Sequence, residues 1–257
     1  MGLLTWLVLT VRLASGAESL TGDQIIEKLL AHSEAKPHQK ELEHYTYKHH
    51  LSIDEMDGEG RIKTHRDQDF DVGFVEGKPV HKLVKTAILD KKGTTQKLES
   101  DATEKEKSKE KGSTTKRPEL QFDGRLADRY EFTNAGTELL DGRKCFKVVF
   151  TPRKPEPAAK GPEDKFLNRL AGTIYVDEEE WEVAGVNAEL QDEVKFGLGL
   201  AANFKKLIFE SRRRRLAPGI WIDSTSHSDI EGRKLFGRFR IRSTAHSSDV
   251  KPEPASK

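Results

Sequence analysis

The most reactive side chains in this 257-residue chain are nine histidines, a single cysteine and a run of four arginines. A metal centre needs ligands that converge at set spacings, and these histidines do not supply them. His49 and His50 are neighbours on a strand-like segment and point to opposite faces, while His44, His65, His81, His227 and His246 have no second ligand at metal-binding spacing. Cys145 is alone, so it forms no intramolecular disulfide, and it sits mid-strand in Lys144–Phe150 with no evident partner histidine. Glu178, Glu179 and Glu180 fall at a turn, where solvated charge is the plain explanation. No GxSxG elbow, Walker loop, HExxH helix or dinucleotide-binding glycine pattern is present. The expectation is therefore a protein without catalytic residues, metal or cofactor.

The arginines allow more. Arg212–Arg215 falls near the Leu216-Ala217-Pro218-Gly219 turn, and Arg238, Arg240 and Arg242 form a one-sided stripe. Such charge either covers a solvated face or attracts anionic lipid headgroups or an acidic protein surface. Arg66 differs because it alternates into phase with Ile62, Phe70, Val72 and Phe74. A guanidinium on an apolar strand face must reach solvent or find an acceptor, which a ligand carbonyl or headgroup would provide.

These residues have to be positioned by strands. From Thr21 to about Leu42 the pattern is helical, with Ile25, Ile26, Leu29 and Leu30 on one stripe. Tyr45, Tyr47, His49, Leu51 and Ile53 then alternate with polar residues, Asp57–Gly60 makes a hairpin turn, and the return strand carries Phe70 and Phe74. Residues 91–117 are charged and lose their apolar stripe after Leu98, which predicts an exposed insertion. Phe146, Val148 and Phe150 restore the alternation; a Pro-rich loop at 152–162 and a short helix at 163–170 follow. Strands are expected at 171–177, 180–190, about 195–211, 219–230 and 234–247, with a bulge near Gly185 and a disordered tail at 250–257. Gly172–Asp177 and Gly219–Asp223 echo one another as Gly-to-Asp strands. A long antiparallel meander of this kind curls under its twist, so one domain over 18–249 with a concave apolar face is predicted.

Composition narrows the partners. A net charge of +1 gives no warrant for nucleic-acid binding. Leu3–Val11 is an apolar run of signal-peptide length, and Ala14-Ser15-Gly16-Ala17 places cleavage after Ala17, although no Lys or Arg precedes the run. The alternative is a buried N-terminal strand or helix. No cysteine follows the apolar run at the position a lipid-anchoring signal requires, so residues 1–17 read as a signal peptide for a soluble periplasmic product.

Leu170–Asp177 with Trp181-Glu182-Val183, Phe209–Arg215, Pro218–Asp223 and Gly232–Leu235 together resemble the LolA/LolB-like superfamily of bacterial outer-membrane lipoprotein carriers. The fold is shared with the sensor domain of RseB-like regulators. The resemblance implies a LolA-like fold: mainly β with α, a curled antiparallel sheet forming an incomplete β-barrel covered by helices. It also implies a carrier or chaperone that shelters a lipid or lipoprotein acyl chain, without catalysis. Residues expected to line such a site are Arg66, Tyr45, Tyr47, Phe70, Phe74, Phe146, Phe150, Trp181 and Phe239, with Val148, Ile174 and Ile241 beside them. For each aromatic, a helix-packed core is the competing explanation. The competing function is an envelope regulatory or adaptor module that binds a protein partner, with Arg212–Arg215 as a contact to membrane surface or protein.

Overall fold

The computed structural model describes residues 19–35, 40–75, 78–90, 93–98, 127–197, 201–235 and 237–252. Helix α1 (Gly22–Ala35) is followed by a 3-10 turn (Lys40–His44), β1 (Tyr45–Met56), β2 (Ile62–Val75), β3 (Lys78–Asp90) and β4 (Gly93–Leu98). Next come β5 (Tyr130–Leu140), β6 (Arg143–Pro152), the short α2 (Pro162–Leu167), β7 (Leu170–Asp177), β8 (Val183–Leu190) and β9 (Val194–Phe196). Three long strands complete the chain: β10 (Ala202–Ala217), β11 (Ile220–Lys234) and β12 (Gly237–Pro252).

Local chemistry accounts for α1. Thr21 Oγ1 accepts from the Gln24 backbone N–H at 3.2 Å while Gln24 Oε1 accepts from the Thr21 N–H at 2.9 Å, a reciprocal capping box that satisfies two unpaired donors. Ile25, Ile26 and Leu29 form its buried stripe. The helix sits close on β5 because residue 22 is glycine. A Cβ there would lie 2.4 Å from the Phe132 carbonyl carbon and oxygen, closer than any side chain tolerates. Asn134 Nδ2 donates to the Leu20 carbonyl at 2.7 Å and ties down the approach to the helix.

All twelve strands join one antiparallel sheet in the order β4-β3-β2-β1-β12-β11-β10-β8-β7-β6-β5, with β9 beside β10. The first and last strands of the chain's long ladders, β1 and β12, pair directly from Tyr45↔Pro252 to Met56↔Arg240 and so join the N-terminal hairpins to the C-terminal meander. This order corrects the expectation of a curled, incomplete barrel covered by helices. The sheet is open and uncurled, and its end strands β4 and β5 do not pair with one another. The predicted bulge does occur, as a register shift between β7 and β8 next to Gly185. Other shifts, such as those at Thr46/Lys48, Asp69/Phe70 and Asn134/Thr137, are scattered over the sheet, so each bends its own ladder without summing to closure. Helical cover is partial as well. The α1 helix packs on β5 and β6, and the 3-10 turn packs on β2 and β1.

Two differences from the sequence reading follow from pairing that local patterns do not show. Gly93–Leu98, inside the segment expected to be an exposed insertion, forms β4 against β3; residues 99–117 lie outside the described residues. Val250–Pro252, expected in the tail, extend β12 because Tyr45 supplies a ladder partner. The proposed signal segment also lies outside the described residues. No helix among the described residues is long and apolar enough to cross a membrane.

Candidate ligand-binding face

Residues directly opposite one another in an antiparallel ladder share a face. One row can be followed across nearly the whole sheet: Phe132, Phe150, Gly172, Ala188, Phe209, Ser228, Ser243, Ile53, Arg66 and Ile88. Parallel rows on the same face carry Val148, Ile174 and Val186, or Leu207, Ile230 and Ile241. One face of the sheet therefore carries apolar side chains on strands from both ends, interrupted in this row by Ser228, Ser243 and Arg66. The two serines in the row satisfy each other, their Oγ atoms 2.7 Å apart, so no hydroxyl is stranded there.

Cover on this face is uneven. Beneath α1, Tyr130, Phe132, Val148, Phe150, Leu170, Ile174 and Val176 form a closed core with Ile25, Ile26 and Leu29. Phe146 and Trp181 border it, stacked with ring centroids 5.5 Å apart, and Lys28 of α1 lies 5.0 Å over the indole. At the other end, Tyr47, Val72, Ile220 and Ile222 form a second core with Tyr45, Phe70 and Phe74 packed around it. Between the two, Leu51, Ile53, Leu207, Phe209, Ile230 and Ile241 are half-buried. Phe239 sits at one end of this strip, edge-on to Phe204 at 5.7 Å, and Phe204 meets Phe166 of α2 at 5.0 Å.

The expected site residues thus fall into three groups on one face rather than lining one closed cavity. Phe146, Phe150 and Trp181 lie under or beside α1; Tyr45, Tyr47, Phe70 and Phe74 surround the second core; Phe239 edges the open strip. Arg66 stands in the open strip between Ile53 and Ile88, half-buried, and has no ion-pair or hydrogen-bond partner among the described residues. Its guanidinium is the one cationic donor on this stretch of the face among the described residues.

The other face carries a small buried cluster of Cys145, Tyr175, Ala184 and Trp221, and several charges beside it are paired. Burial alone would raise the Glu180 pKa, but hydrogen bonds from Arg215, Trp221 and the Gly219 amide outweigh it and hold the group at about 2. The donors are close: Arg215 Nε at 2.7 Å, Trp221 Nε1 at 2.7 Å and the Gly219 N–H at 3.1 Å. Arg143 grips the buried Asp177 carboxylate through Nε at 2.6 Å and Nη2 at 2.8 Å. Arg213 donates to Glu182 at 3.1 Å and to the Trp221 carbonyl at 3.1 Å, and Arg212 donates to Asn187 at 2.7 Å and lies over the Tyr175 ring. Of the arginine run, Arg214 alone is exposed. Asp229 is held far below the usual carboxylate range, chiefly by Arg240 and then Lys206. Arg213, Arg215 and Arg240 are thus held in ion pairs, whereas Arg214 and Arg238 remain exposed.

Two clefts open beside these networks. One of about 470 Å³ is lined by Arg143, Arg213, Arg214, Arg215, Trp221 and His246, and one of about 430 Å³ by Lys48, His50, Phe70, Lys85 and His246. Cys145 is fully buried, and burial pushes its thiol up to about 11, so it is protonated and unreactive at neutral pH. No group of three metal-ligating side chains with suitable geometry occurs among the described residues. What the sequence reading missed was the pairing partners: Glu180 looked like solvated turn charge, yet it joins the β7–β8 turn to β10 and β11.

No family model matches the chain, and no curated protein matches it. Among solved structures, it is similar to a DUF1329 family protein from Desulfovibrio piger, with 12% identity, 92% of this chain and 93% of that one covered, and a TM-score of 0.34. A LolA superfamily protein from Nitrosomonas europaea gives 10% identity, 93% and 96% coverage, and a TM-score of 0.31. The MucA/MucB complex of Pseudomonas aeruginosa gives 11% identity, 90% and 98% coverage, and a TM-score of 0.27. Superpositions this loose carry no functional weight, which rests on the residues of the apolar face.

Proposed function

We propose that this chain is a periplasmic binding protein that shelters a lipid or lipoprotein acyl chain on the apolar face of its open sheet. The observation that carries the reading is the open strip between the two cores, in which Ile53 and Ile88 flank an arginine with no partner among the described residues and further half-buried apolar side chains lead away from it. From Phe209 to Arg66 the strip crosses four strand spacings, roughly 19 Å at about 4.8 Å each. An acyl chain laid across the strands fits that span, with its carboxylate or ester carbonyl at Arg66 and its tail toward Phe209 and α1. Each methylene removed from water contributes about 0.8 kcal/mol, so a dozen supply roughly 10 kcal/mol before association costs. The apolar N-terminal run at Leu3–Val11 supports export, and with Arg213 and Arg215 paired to Glu182 and Glu180, Arg214 is the exposed member of the run left for the protein-adaptor alternative.

Uptake of a fluorescent long-chain fatty acid by the purified chain starting at Glu18 tests the reading. Saturable binding that Phe209→Asp abolishes, with the fold retained by circular dichroism, is the expected result. No uptake by the unaltered chain, or uptake that Phe209→Asp leaves intact, would overturn it.

A further inference from the structure

On the polar face of β1 and β2, three carboxylates and two imidazoles alternate in a single row: Asp54, His65, Asp67, His50 and Asp69. His65 Nδ1 lies 2.7 Å from Asp54 Oδ1, and its Nε2 lies 3.0 Å from Asp67 Oδ2. His50 Nδ1 lies 2.7 Å from Asp69 Oδ1, and its Nε2 lies 3.6 Å from the other Asp67 oxygen. Each ring therefore turns both nitrogens toward carboxylates. A neutral imidazole carries one N–H, so one of its two contacts would set a lone pair against a carboxylate oxygen. For His65, whose two nitrogens both lie within hydrogen-bond distance of a carboxylate, only the doubly protonated ring satisfies both. Three of the four contacts bridge β1 and β2, so the row spans the ladder between these strands.

The surroundings are mixed in charge. In register, β12 places Arg242 opposite Asp54, Thr244 opposite Ser52, His246 opposite His50 and Ser248 opposite Lys48. On the other side, β3 places Leu89 opposite His65, Ala87 opposite Asp67, Lys85 opposite Asp69 and Lys82 opposite Asp71. Lys63 and Asp71 flank the row on β2, Lys48 flanks it on β1, and the His246 ring lies 5.1 Å from that of His50. Cations therefore stand at the margins, while the centre of the row holds three carboxylates bridged by imidazoles, with the Ser52 hydroxyl of β1 also bonded to Asp67.

We propose that this row is a proton-dependent clamp between β1 and β2 centred on His65: its charged imidazole ties Asp54 of β1 to Asp67 of β2, and loss of its proton leaves one of the two carboxylates facing a lone pair and loosens the strands. Geometry and charge point the same way for His65, whose hydrogen bonds to Asp54 and then Asp67 raise its pKa above the ordinary 6.5. A histidine raised on folding contributes stability that is complete below its unfolded pKa and disappears as pH climbs through the folded value. The clamp thus holds on the acid side and releases toward alkaline pH. The same strands carry Tyr47, Phe70 and Arg66 on their other face, but the clamp stands whether or not a lipid binds there.

Two measurements test it on the whole chain. Imidazole titration by NMR should show His65 above 6.5 and moving down in Asp54→Asn. The urea midpoint of the native chain should fall relative to that of His65→Gln between about pH 5.5 and pH 8.5. A His65 that titrates at or below its ordinary value, or a midpoint difference that stays constant with pH, would overturn the clamp. Should His65→Gln fold poorly, the Asp54→Asn titration decides alone.

Discussion

Glu180→Gln removes one charge from the knot that joins the β7–β8 turn to the β10–β11 hairpin, and its cost can be worked out. In the native protein this carboxylate, 15% exposed, accepts from Arg215, Trp221 and the Gly219 amide, which lower its pKa from 4.5 to about 2 against the opposing effect of burial. At 1.36 kcal/mol per pH unit, that drop corresponds to about 3 kcal/mol of stability at neutral pH. A carboxylate depressed on folding contributes above its unfolded pKa and loses the contribution as pH falls through its folded value. The glutamine variant should therefore unfold about 3 kcal/mol more easily than the native chain at pH 7. The gap should narrow between about pH 4.5 and pH 2, where the native Glu180 takes up its proton. Urea titrations of both proteins across that range measure the gap directly. A gap that is absent at neutral pH, or that persists unchanged into acid, would refute the claim that this buried charge is an integral part of the fold.

Gly22→Ala should destabilise the chain by about 1–3 kcal/mol in urea unfolding, because its methyl would press on the Phe132 carbonyl and lift α1 from β5. Arg66→Ala should weaken binding of a fatty acid by roughly 10- to 100-fold, the value of a hydrogen bond to a charged group, while stability stays level because no partner is lost. The methyl ester of the same fatty acid, whose carbonyl still accepts from Arg66 but carries no charge, should lose less on Arg66→Ala than the acid in a competition assay; an equal loss for acid and ester would argue against a carboxylate at Arg66.

Much of the strand plan could be read from alternation. The helix at Thr21, the β1–β2 hairpin around Asp57–Gly60, the short helix after the Pro-rich loop and the meander from Leu170 onward all form close to where period and turn residues place them. What alternation could not supply was which strands meet. Tyr45 pairing with Pro252 and Gly93–Leu98 pairing with β3 depend on partners distant in sequence or poor in apolar pattern. The expected curl failed for the same reason: twist and one bulge are local, whereas closure requires the end strands to pair, and β4 and β5 remain apart. The phase of Arg66 with Phe70, Val72 and Phe74 was visible, and the register then placed it beside Ile53 and Ile88. The histidine row was hidden only in part. Asp54 faces His65 and His50 faces Asp69 once the hairpin turn sets the register, so a search across the turn for side chains on the same face would have found it.

The reading that an acyl chain occupies the apolar face is tested most directly by the lipids that leave the cell with the protein. The chain expressed with its N-terminal segment in a bacterial host and purified without detergent should yield, on organic extraction and mass spectrometry, a near-stoichiometric acyl lipid that Phe209→Asp fails to retain. Extracts containing no lipid above the level of an unrelated exported protein, together with no uptake of added fatty acid, would contradict it.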